Sequence, residues 1–181
     1  MNAIRARLAH MGIFVRDREK MVKFYTEVLG LMVTDQGPGR MPGMHLTFMS
    51  ADPGEHHQVV LVTGRPEEDS GFNPINQVSF LVDSLDQLRE VHTRALAEGA
   101  TDMRVVNHGN AWSTYFRDPE GNTLEAYLHT PFHVPQPHGE PLDLSKSDDE
   151  ILQATEAACA KDPGFMPRTA FVQSVAARMA N

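Results

Sequence analysis

Four side chains of this 181-residue chain carry donor groups that suit divalent cations, and their spacing repeats. His10 and Gln77 stand 67 positions apart, and His57 and Glu125 stand 68 apart. Flanking signals keep nearly the same offset. Val15-Arg16-Asp17 returns as Val82-Asp83-Ser84 after 67 positions, and Asp52-Pro53 returns as Asp118-Pro119 after 66. A fixed offset of this kind marks an internal duplication. In a pseudo-twofold fold, equivalent positions converge on one axis. Two imidazoles, a carboxylate and an amide gathered there form a donor set for a divalent metal. A lone strand histidine such as His10 is more simply a satisfied core residue, but the repeat predicts convergence without reference to residue type. Glu125 also has two readings. After the Pro- and Gly-bearing turn 118–121, residues 122–128 alternate: Leu124, Ala126 and Leu128 face one way, and Thr123, Glu125, Tyr127 and His129 the other. Glu125 therefore either meets water on a solvated face or lines a cavity and holds a cation.

The elements that must position these groups follow from the chain in order. Residues 8–15 read as a strand. Asp17 caps a helix with Met21, Phe24, Tyr25, Val28 and Leu29 on one apolar face, and Gly30 ends it. Residues 31–35, 44–50 and 56–63 read as strands, with a glycine- and proline-rich mobile loop at 36–43 between the first two. A polar segment, 64–74, links this to a second round. There, 75–82 is a strand, and Ser84 with Gln87 makes a capping box. Leu85, Leu88, Val91, Ala95 and Leu96 form the helix face, and 103–107, 111–117 and 122–129 are three further strands. The expectation is an α+β protein of two tandem βαβββ modules, 1–64 and 75–130, joined by the linker 65–74. Each module gives one face of a curved mixed sheet to its helix and leaves the other free to enclose a central cavity.

The remainder, 131–181, differs in character. Four prolines mark an extended stretch to Pro141. Ser147 to Glu150 opens a helix with a capping box that runs to about Lys161, and Arg168 to Met179 makes a last helix. These helices cover either the body or a neighbouring subunit.

A net charge of -8 without a basic patch argues against nucleic acid as a partner. No apolar run approaches the roughly 18 residues that span a bilayer, and 1–8 lacks a hydrophobic signal core. The single cysteine, Cys159, excludes an internal disulfide and fits a reducing compartment. The expected location is the cytoplasm. Cys159 itself reads as a small buried apolar residue on a helix rather than a nucleophile. His45 reads as a strand-edge residue, His92 as structural, and His129, His133 and His138 as surface. Trp112 and Tyr115 fall on opposite faces of one strand. Trp112 is core or helix-facing, while Tyr115 shares the face of Ser113 and can reach a cavity. His108-Gly109-Asn110 reads as a turn. The glycines at 37, 39 and 43 do not follow a phosphate-loop spacing, and no Ser/His/Asp order stands out.

Three motifs carry a family resemblance over residues 8–130: Leu8-Ala9-His10-Met11-Gly12, Phe24-Tyr25 through Leu29-Gly30-Leu31, and Tyr115 to Asn122 leading to Glu125. The chain resembles the vicinal-oxygen-chelate superfamily, which includes glyoxalase I, methylmalonyl-CoA epimerase, fosfomycin- and bleomycin-resistance proteins and extradiol ring-cleaving dioxygenases. Its second module looks most like a single-domain type I extradiol dioxygenase, in His108 and Tyr115 ahead of Glu125, and those enzymes also resemble the chain in the paired His56-His57 that opens the fourth strand. The 135–145 segment looks similar too. That resemblance implies Fe(II) on a 2-His-1-carboxylate face, open to O2 and a catechol-like substrate. It implies His10 and Glu125 as ligands, His57 as acid/base, and His108 and Tyr115 on the substrate. It also implies a homodimer. One departure stands out: Gln77 occupies the place of the family's second histidine ligand. Either Gln77 ligates through its oxygen, or His57 completes the site, or the site binds metal poorly. The set His10, His57, Gln77 and Glu125 also resembles glyoxalase- and epimerase-type lyases and isomerases, which use Zn, Ni or Co. A metal-free ligand-sequestering protein of the bleomycin-resistance kind is the remaining alternative.

Overall fold

The computed structural model describes residues 4–68 and 73–180. Part of the expected linker, Asp69 and Gly71 included, lies outside the described residues. The chain forms two units. One comprises the chain up to Pro74 together with Asp118–Gly121, and the other Ile75–Arg117 and the chain from Asn122 onward.

The first unit runs β1 (Met11–Val15), α1 (Arg18–Leu29), β2 (Met32–Pro38), β3 (His45–Ser50) and β4 (Val59–Thr63). Its sheet has the order β1-β4-β3-β2; β1 and β4 are parallel and the other pairs antiparallel. Asp17 caps α1 by accepting the Lys20 N–H at 3.0 Å, and Gly30 closes it at φ +71°. The helix buries Met21, Phe24, Tyr25 and Val28, the face its periodicity predicts. The Asp118–Gly121 turn belongs with this unit. Glu120 Oε1 accepts the Arg16 and Asp17 amides at 2.7 and 2.9 Å, and Tyr25 OH donates to Asp118 at 3.3 Å.

Three local expectations need correction here. Residues 36–38 continue β2 instead of opening the loop, pairing with His45 to Thr47; β2 is an edge strand, where Pro38 costs no ladder hydrogen bond. His10 does not lie mid-strand but directly before β1. His57 lies ahead of β4 rather than inside it. There the Gln58 side chain accepts the Ala51 N–H at 2.9 Å, and Ser50 and Asp52 tie the loop to itself, so the hairpin opens before the ladder begins.

The second unit repeats the order: β5 (Val78–Leu81), α2 (Leu85–Ala97), β6 (Thr101–Asn107), β7 (Ala111–Arg117) and β8 (Thr123–His129). Gln77 also falls directly before its first strand. Ser84 caps α2 by accepting the Gln87 N–H at 3.2 Å, while Gln87 Oε1 accepts the Asp83 N–H at 2.9 Å, one residue before the usual capping-box donor.

The tail belongs to this unit. β9 (Phe132–His133) pairs with β11 (Met166–Pro167), and β10 (Glu140–Pro141) adds to the edge of β6, giving the order β10-β6-β7-β8-β5. Helix α3 (Asp148–Cys159) opens with the expected Ser147/Glu150 capping box and buries Ile151, Thr155 and Cys159. Thr155 Oγ1 accepts the Trp112 indole N–H at 2.8 Å and the Asn107 amide at 3.0 Å. Trp112 is therefore helix-facing, and α3 covers this chain's own sheet. The last helix, α4 (Arg168–Ala180), buries none of its side chains. His133 is half-buried and stacks on Phe171 at 3.7 Å, and His138 is also half-buried; neither is the surface residue expected. Among the described residues, no helix is long and apolar enough to cross a membrane.

Candidate functional site

The candidate residues form two groups, one in each unit. In the first unit, His10 and His57 lie with ring centroids 4.2 Å apart. His56 Nδ1 and His57 Nδ1 share a hydrogen bond of 2.9 Å, and Asp35 Oδ2 stands 3.9 Å from His56 Nε2. Phe48, on β3, packs edge-on against both rings of the pair, 5.1 Å from His57. The same phenylalanine lines an open groove of about 640 Å³ formed with residues 35–41, Met44 and Leu46. Burial holds the His57 pKa below its ordinary value, and the neighbouring imidazoles of His10 and His56 add to the effect while Glu55 opposes it. A neutral imidazole is the form that takes a proton or a cation.

In the second unit, cross-strand register builds the site. Arg104 on β6 faces Tyr115 on β7, Tyr115 faces Glu125 on β8, and Glu125 faces Ser79 on β5. Directly opposed residues share a sheet face, so these four make one polar row. Trp112, Thr114 and Phe116 turn to the other face, toward α2 and α3. Glu125 is only 7 % exposed, and its Oε2 accepts Ser79 Oγ at 2.5 Å and Gln77 Nε2 at 2.7 Å. Donation by Nε2 fixes the Gln77 amide orientation, since the reverse would set its oxygen against a carboxylate. Among the described residues no hydrogen bond reaches Gln77 Oε1, which leaves that oxygen for a cation.

His108 and Tyr115 meet at 2.9 Å, Nε2 to OH. His108 Nδ1 lies 2.7 Å from the His138 carbonyl, which can only accept, so Nδ1 carries a proton. In neutral His108, Nε2 therefore accepts from the Tyr115 hydroxyl. In protonated His108, Nε2 donates, and the hydroxyl is released to Glu125. The Tyr115 pKa is pushed up to about 12, first by burial and then by the hydrogen bond to Glu125 and its charge; Gln77 and Ser113 oppose the shift. The turn 108–110 is real, with Gly109 at φ +72°. A Cβ there would stand 2.5 Å from Val134 and 2.9 Å from Cys159, so the turn is a fixed mount for His108.

The structure thus brings His10 to His57, and Gln77 to Glu125, Tyr115 and His108. Among the described residues, no three His, Cys, Asp or Glu side chains cluster as a metal-binding group. Sequence reading missed Ser79 and Arg104. Ser79 had a signal, since it lies two positions beyond Gln77 on the same strand phase. Arg104 had none, because only the β6–β7 register sets it beside Tyr115.

Comparison with known proteins agrees with this architecture. A curated relative, biphenyl-2,3-diol 1,2-dioxygenase 3 of Rhodococcus globerulus, is 29% identical over 143 residues, covering 74% of this chain and 71% of the relative. Biphenyl-2,3-diol 1,2-dioxygenase 2 of the same organism is 27% identical over 169 residues, covering 86% and 85%. A glyoxylase/bleomycin resistance protein/dioxygenase domain from Frankia sp. EAN1pec superposes with a TM-score of 0.60 at 23% identity, over 70% of this chain and 100% of that domain. The duplicated βαβββ order meets a family model that matches residues 7–126, and the chain belongs to the Glyoxalase/Bleomycin resistance protein/Dioxygenase superfamily.

Proposed function

We propose that the chain is an extradiol ring-cleaving dioxygenase that opens a catechol-like aromatic diol with Fe(II) and O2. The observation that carries this reading is the proton path of the second unit. A buried tyrosine hydroxyl sits between a histidine with a fixed Nδ1 proton and a buried carboxylate. Cleaving a diol with O2 requires a hydroxyl proton to leave early and a proton to return later, which positioned acids and bases accelerate. The names of the two Rhodococcus relatives support the substrate class.

Under this reading the metal would be held by His10 and Glu125, completed by Gln77 or His57, as the family resemblance implies. The donor chemistry fits. His57 is held neutral, Gln77 Oε1 has no hydrogen bond among the described residues, and Ser79 and Gln77 orient Glu125 as outer-shell donors do around ligating carboxylates. Bound there, Fe(II) supplies the electron path between diol and O2. The chain's own groups move the protons. Where Gln77 completes the metal site, His57 would take the first from the diol, while Tyr115, protonated at neutral pH, would donate to a substrate oxygen and be resupplied through His108.

A second reading, a glyoxalase- or epimerase-type lyase or isomerase using Zn, Ni or Co, draws on Gln77, since a neutral amide oxygen suits a four-ligand site better than an iron triad. Metal content after anaerobic purification, followed by O2 uptake on a catechol panel after Fe(II) reconstitution, separates the two. Stoichiometric iron, O2 consumption and a yellow product are expected. Zinc or nickel without O2 uptake overturns the dioxygenase reading. The resemblance also extends to a homodimer, which light scattering tests directly.

A further inference from the structure

The polar row of the second unit ends in a cation that the chemistry above does not use. Arg104 Cζ stands 4.5 Å from the centroid of the Tyr115 ring. Other arginines of this unit hold carboxylates: Arg89 pairs with Asp86 and Asp148, Arg94 with Glu90, and Arg117 with Asp102. Arg104 is exposed, and among the described residues it has no hydrogen bond and no ion pair. Its guanidinium carbon lies over an aromatic face, and its N–H groups make no hydrogen bond among the described residues, which leaves them for a planar anion. By register, Arg104 lies on the same sheet face as Glu125 and two strands away, roughly 10 Å between backbones.

We propose that Arg104 determines substrate specificity by binding a carboxylate carried on the diol's ring, at the end remote from the two hydroxyls. The substrate class is then an aromatic diol bearing an acidic side chain rather than a neutral biaryl diol. The proposal rests on the aromatic-diol reading, but it is a statement about binding and does not need turnover. A guanidinium meets a carboxylate with two parallel hydrogen bonds, whereas a neutral alkyl group in its place gains nothing from the charge.

The test is calorimetry on the full chain under anaerobic conditions, both metal-free and Fe(II)-reconstituted, with two probes of nearly equal size: 3,4-dihydroxyphenylacetate and 4-ethylcatechol. The expected result is at least about 10-fold tighter binding of the acid, the value of one charge-assisted pair, with the preference shrinking as salt is added. Arg104→Met keeps a long stem over Tyr115 without the charge and is expected to abolish the preference. Arg104→Lys is expected to keep part of it, having charge but no fork. Equal binding of the two probes by the wild-type chain, no measurable binding of either, or a preference that survives in Arg104→Met overturns the proposal. The salt dependence requires no variant and stands if a substitution disturbs folding. O2 uptake is read separately. A carboxylate preference without uptake removes the dioxygenase reading and leaves Arg104 assigned, while uptake without preference does the reverse.

Discussion

Tyr115 has one proton and several neighbours that want it. In the folded chain it keeps that proton to about 12, while an unperturbed tyrosine releases it near 10.0. The stabilisation linked to this group is therefore complete below 10.0 and is lost as pH rises toward about 12, where the unfolded chain has ionised and the folded one has not. Tyr115→Phe removes that component. Thermal melts from neutral pH to about 12 are expected to fall less steeply for the variant than for the wild type; parallel curves would disprove the assignment. At neutral pH the same substitution removes the single hydroxyl that His108 and Glu125 compete for, at a cost of about 1–2 kcal/mol. Under the dioxygenase reading kcat falls roughly 100-fold, the lower range for loss of a positioned proton donor, with a smaller change in KM.

At the scale of elements, Thr155 is the peg that holds α3 to the sheet. It is 0% exposed and accepts from both Trp112 and Asn107. Thr155→Val keeps the volume and strands two buried donors, so a loss of roughly 2–4 kcal/mol is expected in urea unfolding followed by Trp112 fluorescence. On the neighbouring helix, His92 Nδ1 meets Thr114 Oγ1 at 2.9 Å, and burial holds its pKa below 6.5. Its contribution is present above 6.5 and is lost as pH falls below that value, because the unfolded chain binds the proton first. His92→Gln is expected to make the acid side of the stability curve shallower. Most of these elements were legible in the sequence. Alternation from Thr123 to His129, the apolar face of α1 and the caps at Asp17, Ser84 and Ser147 are all local signals. Strand starts were not, because the Gln58 side chain, reaching back across a hairpin, decides where β4 begins. The candidate site divides the same way: the repeat offset pointed to His10, Gln77, His57 and Glu125, whereas Arg104 is visible only once β6 is registered on β7.

At the scale of the whole molecule, the sequence left open what the last fifty residues cover, since docking depends on contacts far apart in the chain. In the structure, the part of the tail up to α3 completes the second unit. β10 extends the sheet beyond β6, Val134 and Cys159 are fully buried, and Arg89 donates to the Leu144 and Lys146 carbonyls. The His138 carbonyl also fixes the Nδ1 proton of His108. Truncation after Thr130 would uncover Trp112 and Asn107, open an edge at β6 and release His108 from its tautomer. The expected product lacks a cooperative melt and binds a hydrophobic dye. Truncation after Pro167 removes α4, whose Phe171 stacks on His133. That shorter deletion is expected to cost about 1 kcal/mol and lower Tm by about 2–4 °C. If the longer truncation melts as sharply as the shorter one, β10 and α3 are an appendage, and the duplicated βαβββ body needs no third layer.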